Sequence, residues 1–191
     1  FGDYEKAIWY GSCSLIGTPE VPIHILHFTD FLLLEALSIL ALHRINRQHL
    51  KLLAKARRHY KILCRLAKPA REYCLSKTFL LKAELLRQRR RQRYQNEKIL
   101  QHYDCAIALA AKSNLILDEA ISYECKARYI LSSIPTTVSA TPSSTMMVTT
   151  HHEKENDARS FLEKAHSMYI KWEATAKADH LMKEMNALQL S

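Results

Sequence analysis

The chain has 191 residues, of which 48% are hydrophobic and 25% charged, and its formal net charge is +9 at pH 7. This composition excludes an intrinsically disordered chain and supplies enough apolar residues for a buried core. No glycine follows Gly17, which excludes a glycine-rich dinucleotide or P-loop site and a G-x-S-x-G nucleophile from nearly the whole chain. Long glycine-free sequence rich in leucine and alanine predicts an all-α fold.

Apolar spacing and helix-breaking residues predict eight helices in chain order. Pro19 and Pro22 end the first helix, Pro69 suits the first turn of the fourth, and Ser113-Asn114 ends the fifth. The predicted helices cover approximately residues 3–16, 23–45, 49–67, 69–87, 93–112, 116–133, 154–172 and 174–188.

A loop is predicted at residues 134–150, between the sixth and seventh helices. Nine of these 17 residues are Ser or Thr, two are Pro and none is charged. Because such a segment has no periodic apolar face to bury, we expect a flexible Ser/Thr-rich loop.

The apolar faces contain small residues at recurring places. Ala7, Ala56, Ala106 and Ala165 each lie within an otherwise large apolar face, where paired helices must approach closely. This recurrence predicts an irregular helix-pair repeat in a single domain of residues 1–191. The predicted buried faces are Leu53, Ala56, Tyr60, Leu63 and Ala67; Ile99, Tyr103, Ala106 and Ala110; Ala158, Phe161, Ala165, Met168 and Trp172; and Ala178, Leu181, Met185 and Leu188.

Positive charge is concentrated in the middle of the chain. From Arg44 to Lys98 there are 18 Lys and Arg against three Glu, a local balance of +15. Such a stretch attracts nucleic acid, an anionic membrane surface or an acidic protein; the alternative is a solvated helix face or one covered by an acidic neighbouring domain. The densest part is the candidate partner-binding run of Arg87, Arg89, Arg90, Arg91 and Arg93, whose alternative interpretation is a solvated connection between helices.

No pattern of catalytic, metal-ligating or cofactor-binding residues is found. His24 and His27 have no further ligand at a recognised spacing, and Asn156 stands where an H-E-x-x-H zinc motif would need its second histidine. The five cysteines are odd in number and form no C-x-x-C pair, so we expect free, buried, reduced thiols in a cytoplasmic protein. We therefore expect no enzyme activity, no metal and no cofactor in this segment, and no membrane association.

The first residues resemble part of a tetratricopeptide repeat. The run from Gly2 to Ala7 (GDYEKA) is similar to the turn into the second helix of that motif, and Pro19 stands where its terminal proline falls. Gly11 and Ser14 depart from the usual aromatic residue and alanine. Because the first helix of this repeat is absent, we expect the chain to be a fragment of a longer protein.

Residues 69–185 resemble the helical-repeat region of large hybrid sensor histidine kinases. At its end, residues 169–181 are similar to the pattern Y-x-x-W-G-A-x-x-K-x-x-x-L, except that Glu173 replaces the glycine. The resemblance rests on the ordered set Tyr73, Lys77, Leu80, Leu81, Ala83, Glu84, Tyr103, Asp104, Cys105, Ala106, Ile107, Ala108, Leu109, Ala110, Asp118, Glu119, Ala120, Tyr123, Glu124, Ala127, Arg128, Tyr129, Ala165, Tyr169, Trp172, Ala174, Thr175, Ala176, Lys177 and Leu181.

This resemblance implies a superhelix of tetratricopeptide-like helix pairs between an upstream ATPase module and downstream sensor and histidine kinase modules. His166 is followed by Ser167 rather than by the acidic residue of a phosphoacceptor site, so the segment itself is expected to be non-catalytic. The expected function is protein–protein or interdomain interaction in signal transduction. The alternative is a stand-alone helical-repeat adaptor or nucleic-acid-binding protein that uses the basic surface of residues 44–98.

Overall fold

The computed structural model describes Tyr4, Lys6 and residues 25–46, 50–88, 94–134 and 145–189. Every regular element within these residues is an α-helix, which confirms the predicted all-α fold. The seven helices in chain order are α1 (Ile25–Ile45), α2 (Leu50–Leu66), α3 (Arg71–Arg87), α4 (Tyr94–Lys112), α5 (Ile116–Ser132), α6 (Thr145–Lys171) and α7 (Thr175–Gln189).

Six of these helices have bounds close to the predicted ones, and α6 is the exception. It begins at Thr145, so the last part of the segment predicted as a loop is helical. No Pro or Gly lies between Thr145 and the predicted start, and each Thr costs a helix only about 0.7 kcal/mol or less relative to Ala. Residues 135–144 of the predicted loop, and the predicted first helix apart from Tyr4 and Lys6, lie outside the described residues.

The chain divides into two compact units, Phe1–Ser113 and Asn114–Ser191, and the predicted single domain stays a prediction. In the first unit, which we call the N-unit, α1 packs on α2, α3 packs on α4, and α3 also contacts both α1 and α2. In the second, the C-unit, α6 packs on both α5 and α7. Sequential helices make the most extensive contacts, as expected for helix pairs.

The core of the N-unit follows the predicted faces on α4 and most of the predicted face on α2. All four predicted residues of α4 are buried: Ile99, Tyr103, Ala106 and Ala110. On α2, Leu53, Ala56 and Leu63 are buried, whereas Tyr60 and Ala67 are partly exposed and His59 is buried instead. His59 is buried in place of its neighbour Tyr60 because its ring nitrogen Nε2 pairs with the carboxylate of Glu35 on α1.

The core of the C-unit corrects the predicted face of α6. Ala158 and Ala165 are buried as predicted, together with Leu162 and Tyr169, but Trp172 is 48% exposed. Trp172 lies just beyond the last residue of α6, so it leaves the row of core residues that continues to Tyr169. On α7, Ala178, Leu181 and Met185 are buried as predicted.

Phe161, also predicted in the core of the C-unit, is only half-buried, and its ring contacts polar side chains of α5. Its ring stacks on that of Tyr123 with 6.1 Å between centroids, and Lys126 Nζ lies 4.0 Å from its centroid. The ring therefore completes an aromatic and cationic contact between α5 and α6 instead of filling an apolar interior.

Two turns between helices contain a left-handed residue. Asn114, with φ 53°, follows the end of α4 at the predicted stop, and asparagine tolerates this conformation. Glu173, with φ 60°, follows α6. There the Ala174 amide donates to the Tyr169 carbonyl oxygen and the Glu173 amide to that of Ile170, which together form a Schellman motif.

Replacing Glu173 by glycine is expected to stabilise the C-unit by about 1 kcal/mol, because a left-handed residue with a Cβ costs about 1–2 kcal/mol. Glu163→Gly is the matched control: Glu163 is exposed inside α6, where glycine costs about 1 kcal/mol. Urea unfolding followed by helical circular dichroism measures both changes. A Glu173→Gly protein that loses as much stability as Glu163→Gly would contradict the assignment of this turn.

Candidate functional site

The predicted arginine run lies mostly outside the described residues. Of its five members only Arg87 is described, and the other four are Arg89, Arg90, Arg91 and Arg93. The side chain of Arg87 is only 13% exposed, and its Nη1 lies 3.4 Å from Glu84 Oε1. Arg87 therefore contributes to a buried ion network, and a partner-binding role for the run stays a prediction.

Positive charge is also concentrated on α2, which contains no acidic residue. Five exposed cations lie along this helix: Lys51, Arg57, Arg58, Lys61 and Arg65. We call these five residues the α2 basic face. No salt bridge joins any of them to another residue of the described part of the chain.

Two other basic residues of α2 point to α1 instead. The Lys55 ammonium donates to Glu35 Oε1 over 2.6 Å, and His59 Nε2 lies against Glu35 Oε2. Burial lowers the pKa of His59 below 6.5, with the nearby cations Lys55 and Arg58 adding to the effect, and this outweighs the opposing influence of Glu35. His59 is thus neutral at pH 7, with Nε2–H donating to the carboxylate.

A second buried carboxylate, Glu84 of α3, joins three helices of the N-unit. Its side chain is 1% exposed and pairs with the guanidinium of Arg44 at the end of α1. The Tyr103 hydroxyl of α4 donates to Glu84 Oε1 over 2.6 Å. Burying a carboxylate costs free energy because the charge loses its hydration. The hydrogen bonds and the guanidinium around Glu84 compensate that cost only while these partners stay in place.

The N-unit also buries a lysine. The ammonium of Lys77 on α3 is 1% exposed and lies 2.9 Å from Asp30 Oδ1 on α1. This ion pair adds a second polar connection between α1 and α3, beside that of Arg44 with Glu84.

The C-unit contains the third buried carboxylate, Glu124 of α5. The Tyr169 hydroxyl of α6 donates to its Oε2, and the Lys177 ammonium of α7 donates to its Oε1, each over 2.6 Å. Arg128 Nη2 lies 2.8 Å from Glu124 Oε1 and 2.8 Å from Glu184 Oε2. The network therefore joins all three helices of the C-unit.

Charges and burial oppose each other at Glu124. Burial raises the pKa of this carboxyl, but the Arg128 and Lys177 cations outweigh burial and hold the pKa below its ordinary value of 4.5. Burial, reinforced by the Glu124 charge, raises the pKa of Tyr169 far above 10. At neutral pH the network thus consists of an ionised carboxylate, two cations and a neutral phenol that donates its proton.

Sequence reasoning missed these carboxylates as a group. Each lies on the first helix of a pair, among apolar residues: Glu35 in FLLLEALSIL, Glu84 in FLLKAELL and Glu124 in AISYECKA. An acidic residue inside an apolar helical segment was the available signal, although its partners are distant in sequence. The chemistry of the three networks is structural: it holds helices together through charge and hydrogen bonds.

The described residues contain no group of three or more His, Cys, Asp and Glu that could hold a metal ion, and His27 is exposed. No α-helix in these ranges has both the length and the apolar character needed to cross a membrane. The four described cysteines are free, but only Cys74 is buried, and Cys105 is exposed, which corrects the expectation of uniformly buried thiols.

Comparison with known proteins adds no relative to this description. No protein-family model, no curated protein and no solved structure matches the chain.

Proposed function

We propose that this chain is a non-catalytic scaffold for protein–protein or interdomain interaction in a signal-transducing hybrid histidine kinase of the cytoplasm. Its helix pairs, in this proposal, are tetratricopeptide-like and stack into a superhelix. The kinase context rests on the resemblance of residues 69–185. The scaffold role rests on the helix pairs and their outer surfaces.

The observation that carries the scaffold role is the closure of each helix pair by a buried carboxylate. Glu35 of α1 is held by α2, Glu84 of α3 by α4, and Glu124 of α5 by α6. Because the partners of each carboxylate include a residue of the paired helix, a pair can keep its internal geometry while its outer face contacts another domain. A rigid pair of this kind is suited to present a fixed surface.

Exposed apolar side chains supply a second support for interaction. In the C-unit, Ile170, Trp172 and Met182 are each between 39% and 49% exposed. Trp is among the residue types that most often dominate the binding energy of protein interfaces, and Met is enriched in interfaces. These three residues are therefore the expected contacts of a protein partner or neighbouring domain.

The parent transcript provides the first test of the kinase context. A P-loop ATPase pattern upstream, with a phosphoacceptor histidine and a glycine-rich ATP lid downstream, is the expected result. A stop codon directly after Ser191, with only further helix pairs upstream, would overturn the kinase context and leave a stand-alone helical adaptor.

The scaffold role is tested in the parent protein by its phosphorelay output. Trp172→Ala is expected to change phosphotransfer at least several-fold because it removes an exposed interface residue, whereas Lys171→Ala, also exposed, is expected to leave it unchanged. Circular dichroism verifies that both proteins are folded. Output that is unaffected even when residues 25–189 are deleted would refute the scaffold role.

A further inference from the structure

The α2 basic face is a straight row of charge on one side of a helix. Lys51, Arg58, Lys61 and Arg65 follow each other at intervals of three, four or seven residues, which places them on one side, with Arg57 beside them. At 1.5 Å per residue the row is about 21 Å long. Ala54, also on this side of the helix, is small and exposed.

None of the described carboxylates of the N-unit forms a salt bridge with this charge. The buried carboxylates beside α2 are directed to other groups: Glu35 to Lys55 and His59, and Glu84 to Arg44 and Tyr103. The pKa of His102 on α4 is lowered, first by burial and then by the cations Lys82 and Lys98, so the positive field extends beyond α2. An anionic partner would therefore meet five cations that pair with no described carboxylate.

The composition of the row decides which anionic partner it fits. Among the side chains that the structure describes in the N-unit, the exposed large apolar ones are Leu34, Ile45 and Tyr73, and none of them lies on α2. The buried centre of a protein interface is apolar and poor in charged residues, and a helix that inserts into a lipid surface has an apolar face. Nucleic-acid interfaces are polar and strongly positive, as this row is.

Single-stranded nucleic acid is disfavoured because the row offers no ring for stacking. The one tyrosine of α2, Tyr60, is partly buried, and Lys82 Nζ lies 5.4 Å from its ring centroid. Base stacking on exposed aromatic side chains is the main attraction that single-strand binders add to charge. A duplex, whose phosphates face outward and whose bases are already stacked, needs only the cations.

We propose that the α2 basic face binds the phosphate backbone of double-stranded nucleic acid without sequence specificity. This activity goes beyond the scaffold function proposed above. A row of about 21 Å spans roughly six phosphates of one strand, at 3.4 Å per base pair along the axis. Five cations that each neutralise one phosphate predict a slope of about −4.5 for log K against log salt concentration.

The test titrates the full chain into a fluorescently labelled DNA duplex of about 20 base pairs, which is longer than the row, at several salt concentrations. The variant Arg58→Gln, Lys61→Gln, Arg65→Gln is expected to reduce the slope to about −2 and to weaken binding at least tenfold at low salt. The matched control, Lys112→Gln, Lys171→Gln, Lys183→Gln, removes the same charge from exposed positions off α2. It is expected to leave the slope near −4.5.

Four results would overturn the proposal: no duplex binding at low salt, equal weakening by the two variants, tighter binding of poly-glutamate than of duplex, or tighter binding of phosphatidylserine vesicles. The last two would assign the face to an acidic protein or to a membrane surface. Circular dichroism establishes that both variants are folded. Because binding is measured on this chain alone, the outcome is independent of the phosphorelay assay of the proposed function.

Discussion

Replacing Glu124 by alanine is expected to lower the free energy of unfolding of the C-unit by about 3–5 kcal/mol. The substitution removes the carboxylate on which Tyr169, Lys177 and Arg128 converge from three helices. The buried phenol and the nearly buried ammonium then lose the acceptor that compensated their own desolvation. Urea unfolding, combined with hydrogen exchange of peptides from α5 and α6, measures the loss.

An exposed glutamate on the same unit is the control. Glu163 pairs with Arg159 at i,i+4, both side chains are at least 50% exposed, and Glu163→Ala is expected to cost about 0.5 kcal/mol or less. If Glu124→Ala were no more destabilising than Glu163→Ala, the network would have no structural importance.

The same carboxylate predicts a pH dependence. Because the folded-state pKa of Glu124 lies below 4.5, its stabilisation is complete above that value and is lost as pH falls toward the folded pKa. The difference in unfolding free energy between the natural chain and Glu124→Ala is therefore expected to shrink below pH 4.5. A difference that stayed constant down to low pH would contradict the ionised carboxylate.

Enlarging Ala106 to leucine is expected to lower the free energy of unfolding of the N-unit by about 1–3 kcal/mol. Ala106 is fully buried on α4, the helix that packs on α3, and protein interiors leave no room for three added carbons. The added side chain must displace its neighbours or adopt a strained rotamer. Thermal and urea unfolding of the purified chain give the change in stability.

Ala108 and Ala111 offer matched controls because both are exposed on the same helix. Ala108→Leu or Ala111→Leu adds the same atoms with nearly the same helix propensity, so each is expected to change stability by about 0.5 kcal/mol or less. An Ala106→Leu protein as stable as these controls would mean that α4 does not approach its neighbour closely at this position.

Local sequence preferences account for the close agreement between predicted and observed helices. Leucine- and alanine-rich segments favour helix, and breaks at Pro69 and Asn114 limit where each helix can run. Pro69 lies just before α3, which begins at Arg71, so the prediction of this helix start was wrong by two residues. At α6 the prediction was wrong because it was based on the lack of an apolar face in residues 134–150. The start of a helix depends also on where Pro and Gly are absent, and neither lies between Thr145 and the predicted start.

Three of the four recurring small residues lie in the core, and the fourth, Ala7, lies outside the described residues. Ala56, Ala106 and Ala165 are all fully buried. Trp172 was wrongly predicted to be buried because the spacing of apolar residues continues in the sequence beyond the residue at which α6 ends. The left-handed turn at Glu173 redirects the chain at that point, and no periodicity of apolar residues contains this information.

The candidate interaction surface was predictable only in part. The sequence shows 18 cations between Arg44 and Lys98, but it does not separate those that stabilise the core from those that face outward. In the folded chain Arg44, Lys55, Lys77 and Arg87 pair with carboxylates of the N-unit. The α2 basic face consists of cations that remain outside these pairs.

By itself the sequence determined that this protein is helical, where most of its helices begin and end, and that its middle third is basic, because these properties depend on neighbouring residues. Tertiary structure alone decided that Glu35, Glu84 and Glu124 are buried and which cations neutralise them. Residues up to 56 positions apart meet in these networks, as Arg128 and Glu184 do. These networks stabilise the fold through desolvated charges that folding brings together. No local sequence pattern shows which charges will meet.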